Sequence, residues 1–99
     1  MSLKFDLGNI DDDEVEKLLK LCDALSSITR LDILLKMKGH REASHDDIAK
    51  LTDKSPATIS SHMKLLVDAG IVEEAKVKGL QGRFRKIPRF LLKEIVIKL

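Results

Sequence analysis

The spacing of hydrophobic residues predicts helices in the first two thirds of the chain and strands directly after them. Apolar positions at intervals of three and four residues indicate a first helix over about 12–25 and a second over about 28–38. The second helix is apolar on nearly all sides, which is typical of a central element. Two shorter helices follow, with Ser44 and Ser55 as their N-caps, because a serine hydroxyl can accept from a free amide of the first turn.

The fourth predicted helix has a clear start, a clear end and two different faces. Pro56 fits the first helical position, and Gly70 fits the left-handed position just after a helix. One face carries apolar residues at i, i+4 and i+7, which predicts burial of Ile59, Met63 and Leu66. The other face carries short hydroxyls and a lysine, a slim surface that a DNA major groove about 12 Å wide admits. Only a few residues separate this helix from the third, so the pair is predicted to be a helix-turn-helix over about 45–69.

After Gly70 the apolar period changes from 3.6 to about 2, which predicts a β-hairpin, or wing, over about 71–87. The apolar stretch beyond it predicts a terminal helix over about 88–98, and so much apolar surface indicates a subunit interface. The predicted fold class is mainly α with a small β-hairpin (α+β). It is a winged helix-turn-helix of order α-α-α-α-β-β-α in a single domain over 1–99.

The 99 residues carry a formal net charge of +2, but the charge is unevenly distributed. Residues 1–50 contain 8 basic and 11 acidic side chains, whereas residues 51–99 contain 10 basic and 5 acidic ones. Six basic residues and no acidic one lie between 76 and 89, which favours a polyanion as partner. The alternative is an ordinary solvated hairpin, because exposed lysines also discourage pairing of strand edges.

Other classes of function have little support in the composition. No apolar run is long enough for a membrane span and no secretory signal is recognisable, so a cytoplasmic protein without membrane contact is expected. Cys22 is the single cysteine, which excludes an intrachain disulfide, and its apolar helical position favours a small buried hydrophobe. The chain has no phosphate-binding glycine loop and no metal-ligand pair at helical spacing, so we predict no enzyme activity, no metal and no cofactor.

Two segments of the sequence resemble the ArsR/SmtB-like repressors of bacteria and archaea. They are Ala-Leu-Ser-Ser-Ile-Thr-Arg-Leu-Asp-Ile-Leu over 24–34, and Ser-Pro-Ala-Thr-Ile-Ser-Ser-His-Met-Lys-Leu-Leu over 55–66, followed by Ala-Gly-Ile-Val over 69–72. The resemblance implies a homodimeric regulator that binds double-stranded DNA, with its first and last helices at the dimer interface. The interface residues would be Leu18, Leu19, Cys22, Phe90, Leu91 and Ile95.

The sequence departs from that family where its metal sensors bind their metals. The Cys-x-Cys motif of the family has no counterpart in residues 46–51, and the terminal segment offers only Glu94. A transition-metal effector is therefore not predicted, and the effector, if one exists, is unknown.

The predicted DNA contacts come from the fourth helix and the wing. Serine and threonine bond to bases or phosphates, and lysine reaches a guanine or a phosphate. His62 is equally well explained as a structural histidine, and the whole polar face as an ordinary solvated one. Arg83 and Arg85 are expected to share the outward face of the hairpin. The residues predicted to contact DNA are Ser55, Ala57, Thr58, Ser60, Ser61, His62 and Lys64 on the helix, and Lys78, Gln81, Arg83 and Arg85 on the wing.

The sequence thus predicts a sequence-specific, dimeric DNA-binding transcription regulator that acts as a repressor. One alternative is a less selective chromosome-associated protein, because small side chains offer few bidentate base contacts. The other is a winged-helix module that binds an acidic protein.

Overall fold

A computed structural model describes residues 1–79 and 82–99, and Gln81 lies outside the described residues. The elements follow one another as a strand, four helices, a two-stranded hairpin and a last strand. They are β1 (Ser2–Asp6), α1 (Asp12–Leu25), α2 (Ile28–Gly39), α3 (His45–Thr52), α4 (Pro56–Asp68), β2 (Val72–Lys78), β3 (Phe84–Phe90) and β4 (Glu94–Lys98). Four helices followed by an antiparallel hairpin confirm the α+β winged-helix class.

Side-chain caps explain where the helices begin. Ser44 and Asp47 form a reciprocal capping box at the start of α3, with the Asp47 N–H 3.2 Å from the Ser44 Oγ. The Ser55 Oγ accepts the Thr58 N–H at 3.1 Å at the start of α4. Gly70 follows α4 with φ +76°, a backbone conformation that favours glycine. These caps fix the ends of the two helices that the sequence predicted as a helix-turn-helix.

The core lies between the four helices and the base of the wing. The apolar stripe of α4 forms its centre, since Ile59, Met63 and Leu66 are each 0% exposed, as predicted. Ile33 of α2 and Ile48 of α3 are equally buried. The buried face of α4 fixes the helix, so its polar face is presented on a rigid support.

The predicted terminal helix over 88–98 is wrong. Residues up to Phe90 continue β3, and β4 pairs in parallel with β1, with Leu3 opposite Ile95 and Phe5 opposite Ile97. The run Ile-Val-Ile within β4 is β-branched, which favours a strand over a helix. We call the β1–β4 pair the terminal sheet, and it buries Phe5 to 3% exposure.

Candidate nucleic-acid interface

The polar face of α4 carries the clearest candidates for contacts with a ligand. Ser60, Ser61 and Lys64 are all exposed, on the side opposite the buried stripe. Among the described residues, none of these three side chains takes part in a hydrogen bond or a salt bridge. Their donors and acceptors are therefore free to bind an external group.

The start of α4 is organised by a pair of hydroxyls. The Oγ of Ser55 lies 2.9 Å from the Oγ1 of Thr58, besides capping the helix. Ala57 is exposed in the first turn, where the free backbone N–H groups of a helix attract phosphate. Ser55 and Thr58 are thus partly occupied with each other, and Ala57 offers the backbone a close approach to a phosphate.

Arg30 fixes His62, which is half-buried on α4. The Nε of Arg30 donates to the Ala24 carbonyl at 2.6 Å, and a terminal nitrogen donates to the Asp23 carbonyl at 3.1 Å. Its other terminal nitrogen lies 3.1 Å from the Nδ1 of His62. Because a guanidinium only donates, Nδ1 must accept, which leaves the proton of a neutral imidazole on Nε2. Arg30 therefore caps the end of α1 and holds the Nε2 donor of His62 in place on α4. The sequence pattern did not indicate this contact between Arg30 and His62.

On the wing, Lys78 and Arg83 are exposed, whereas Arg85 is paired. The guanidinium of Arg85 donates to Oδ2 of Asp47 at 2.8 Å. Arg85 has the same strand parity as Ile87, whose side chain is buried, but the side chain of Arg85 is 49% exposed where it reaches α3. Phe84 occupies the opposite face and is 69% exposed. Arg85 therefore joins the wing to α3.

The charged form of the Asp47 carboxylate is stabilised by its neighbours. The backbone N–H and hydroxyl of Ser44 hold the pKa of Asp47 below its ordinary value of 3.8, and the positive charges of Arg85 and Lys50 add to this effect. Asp47 thus stays charged at neutral pH and serves both the helix cap and the wing.

A second contact between α3 and the wing was missed from the sequence. The Nε2 of His45 lies 3.0 Å from Oε1 of Glu74, without the alignment of a hydrogen bond, and Nζ of Lys86 lies 3.9 Å from the other carboxylate oxygen. Ser60 and Lys64 line the same cleft of about 450 Å³ as these groups. The fold therefore brings the polar face of α4 and the base of the wing together, which the residue types alone could not reveal.

The residues predicted for a dimer interface lie in different environments. Leu19 and Cys22 are exposed on α1, so the expectation that Cys22 is buried is wrong. Leu18 and Ile95 are half-buried against the core. Phe90 is partly exposed, with Nζ of Lys38 located 5.8 Å from its ring centre, and the half-buried Leu91 donates its N–H to the Ile71 carbonyl at 2.9 Å.

A helix-turn-helix followed by a basic hairpin defines the winged-helix class of DNA-binding domain. Residues 27–74, from the N-cap of α2 into β2, match the family model described as bacterial regulatory protein, arsR family. This segment is an ArsR-like helix-turn-helix regulator domain, which confirms the resemblance drawn from the sequence, and the protein is a DNA-binding transcription regulator. The match indicates a regulatory protein rather than an enzyme. No curated protein is significantly similar to the chain.

Within residues 1–79 and 82–99, no group of three or more His, Cys, Asp or Glu side chains is placed to hold a metal ion. Over the same ranges, no helix has the length and apolar character needed to cross a membrane.

Proposed function

We propose that this regulator binds a specific double-stranded DNA sequence as a homodimer and represses transcription in the cytoplasm. The single observation that carries the proposal is the contrast between the two faces of α4. One face is fully buried, and the other offers Ser60, Ser61 and Lys64 without internal partners. In the proposed complex α4 enters the major groove, where hydroxyl and ammonium groups contact base edges and phosphates.

The wing is proposed to bind the DNA beside the major-groove site. Lys78 and Arg83 are exposed near its tip and would contact flanking phosphates or the minor groove. Arg85 lies about half exposed in its pair with Asp47, so a phosphate could compete with that carboxylate for the guanidinium. The wing would therefore increase the affinity for DNA with little sequence selectivity, and α4 would provide the selectivity.

Homodimerisation is supported by exposed apolar stripes on the first two helices. Leu19 and Cys22 are exposed one helical turn apart on α1. Ile28, Leu31 and Leu35 recur at i, i+3 and i+7 on α2 and are 85%, 45% and 68% exposed. Such surface on a small protein typically marks an interaction site. In the proposed dimer, the two α4 helices would enter successive major grooves, which lie about 34 Å apart.

The first test of the proposal is fluorescence anisotropy with a labelled duplex from the promoter of the gene itself, across a salt series. Binding that survives an excess of random duplex is the expected result. Lys64→Ala should change the preference between duplexes by about 1–3 kcal/mol if Lys64 contacts a base. Lys20→Ala is the matched control, since it removes the same charge from an exposed position of α1.

Other outcomes of this experiment would favour the other functions. Equal loss of binding to specific and random duplex would indicate a less selective chromosome-associated protein. No binding at low salt would indicate a protein-interaction module. The repressor role is tested separately, by transcription in vitro from the same promoter, which should fall when the protein is added.

The dimer is tested by sedimentation of the wild type and of Leu19→Glu. A charge on the apolar stripe should convert the dimer into a monomer and weaken binding to a two-site duplex, since a buried unpaired charge is costly. Lys20→Glu is the control on the neighbouring polar face. Mild oxidation should also cross-link two copies through Cys22. A wild-type monomer at all concentrations would contradict the proposed dimer.

A further inference from the structure

A cavity of about 740 Å³ is lined by none of the residues on the polar face of α4. The last turn of α2 forms one wall, and the segment that links β3 to β4 forms the other. Leu34, Met37 and Leu92 are among its lining residues, and most of its surface is apolar. Its volume lies in the range of about 300–1,000 Å³ that is typical of small-molecule sites. None of the exposed stripe residues of α1 and α2 lines it.

The charges around this cavity are mostly positive. Four basic residues line it against two acidic ones, Glu42 and Glu94. Arg89 is only loosely paired with Glu42, at 4.0 Å, and Lys38 lies over the ring of Phe90. In the part of the chain that the structure describes, neither Arg41 nor Lys93 forms a salt bridge. An apolar interior with an excess of unpaired cations fits a ligand that has an apolar body and a negative end.

We propose that this cavity binds a small anionic amphiphile, a free molecule with one carboxylate on an apolar chain or ring. The apolar body would lie against Leu34, Met37 and Leu92, where its transfer out of water supplies most of the binding free energy. The carboxylate would lie between Arg41 and Lys93, which offer charge-assisted hydrogen bonds. A cationic amphiphile of the same length would meet the same excess of positive charge and is disfavoured.

The test is a titration of the ¹⁵N-labelled 99-residue protein with decanoate, followed by NMR. Saturable shifts should appear at residues of the cavity, and decyltrimethylammonium should bind at least about tenfold more weakly. The double variant R41E/K93E should weaken decanoate binding by about tenfold, because two attractive contacts at the surface become repulsive. K17E/K20E is the matched control, with the same change of charge at exposed positions of α1, and should bind like the wild type.

Several results would overturn the proposal. Shifts confined to the exposed stripes of α1 and α2, equal binding of the cationic chain, or no saturation up to about 10 mM would each do so. Binding that weakens as the protein concentration rises would assign the cavity to a second copy of the chain. Binding to phosphatidylglycerol vesicles without binding to decanoate would assign it to a membrane surface. The experiment contains no DNA, so its outcome is independent of the proposed function.

Discussion

The wing and the terminal sheet both bury apolar side chains, but among the described residues only the wing adds ion pairs with a neighbouring element. The wing pairs two neighbouring strands, and its link to α3 includes the Arg85–Asp47 pair at 2.8 Å and the His45–Glu74 contact at 3.0 Å. The terminal sheet pairs strands from the two ends of the described chain and buries Phe5 in the core. Salt screens the exposed ion pairs of the wing, whereas it does not weaken apolar burial.

This difference separates the part of the molecule that we expect to adjust to DNA from the part that maintains the fold. Half-exposed ion pairs contribute about 0–1 kcal/mol each, so the wing can exchange an internal carboxylate for a phosphate at low cost. A buried phenylalanine contributes several times more and has no comparable substitute. Three substitutions test this contrast, in order of decreasing effect.

Phe5→Ala should destabilise the protein by about 3–5 kcal/mol, since it removes a large side chain that is 3% exposed. Urea denaturation measures the loss. Leu99→Ala is the matched control, because Leu99 is 98% exposed and its truncation should stay within about 0.5 kcal/mol. A loss below about 1 kcal/mol for Phe5→Ala would show that burial in the terminal sheet is not what maintains the fold.

Asp47→Asn should destabilise the protein by about 0.5–1 kcal/mol at pH 7, because the variant weakens the capping box and the pair with Arg85. The pKa of Asp47 is lowered in the folded state, so its carboxylate stabilises the fold above pH 3.8. That stabilisation is lost as the pH falls through the folded pKa, so wild type and variant should converge in acid. Urea denaturation at pH 7 and at a pH below the folded pKa of Asp47 measures this convergence. Asp46→Asn, in the same helical turn, is the control, and a difference that persists in acid would contradict the assignment.

Arg83→Ala should leave the free energy of unfolding unchanged, since Arg83 is exposed and has no ion-pair partner among the described residues. It should weaken binding to all duplexes alike and reduce the salt slope of the affinity by about 1, the effect of one lost phosphate contact. Anisotropy across a salt series measures both quantities, with Lys20→Ala as the control. An unchanged salt slope of the affinity would contradict the proposed contact between the tip of the wing and DNA.

Local signals in the sequence were sufficient to predict the helix-turn-helix. A serine cap, a proline at the first position and a glycine after the last turn determine α4, and its apolar stripe is buried as predicted. These signals act within a few residues, so they can be recognised without the rest of the fold. The wing could be predicted in the same way, since the change of apolar period is also local.

The terminal sheet could not be predicted in the same way. A short apolar run such as Ile95-Val96-Ile97 fits a buried helix as well as a strand, and only its partner decides between them. That partner contains Leu3 and Phe5, which alternate with polar residues over a segment too short to be convincing alone. The pairs Arg85–Asp47 and Arg30–His62 were missed for the same reason, because each joins residues more than thirty positions apart.

The parallel pairing of β1 with β4 also has a consequence for the way the chain is made. The ribosome produces β1 before all four helices and β4 after them, and Glu94 comes 88 positions after Asp6. At about 5–20 residues per second, Phe5 waits roughly 4–18 s until its strand partner is synthesised. During synthesis, all segments of the helix-turn-helix are therefore available before β1 can pair with β4.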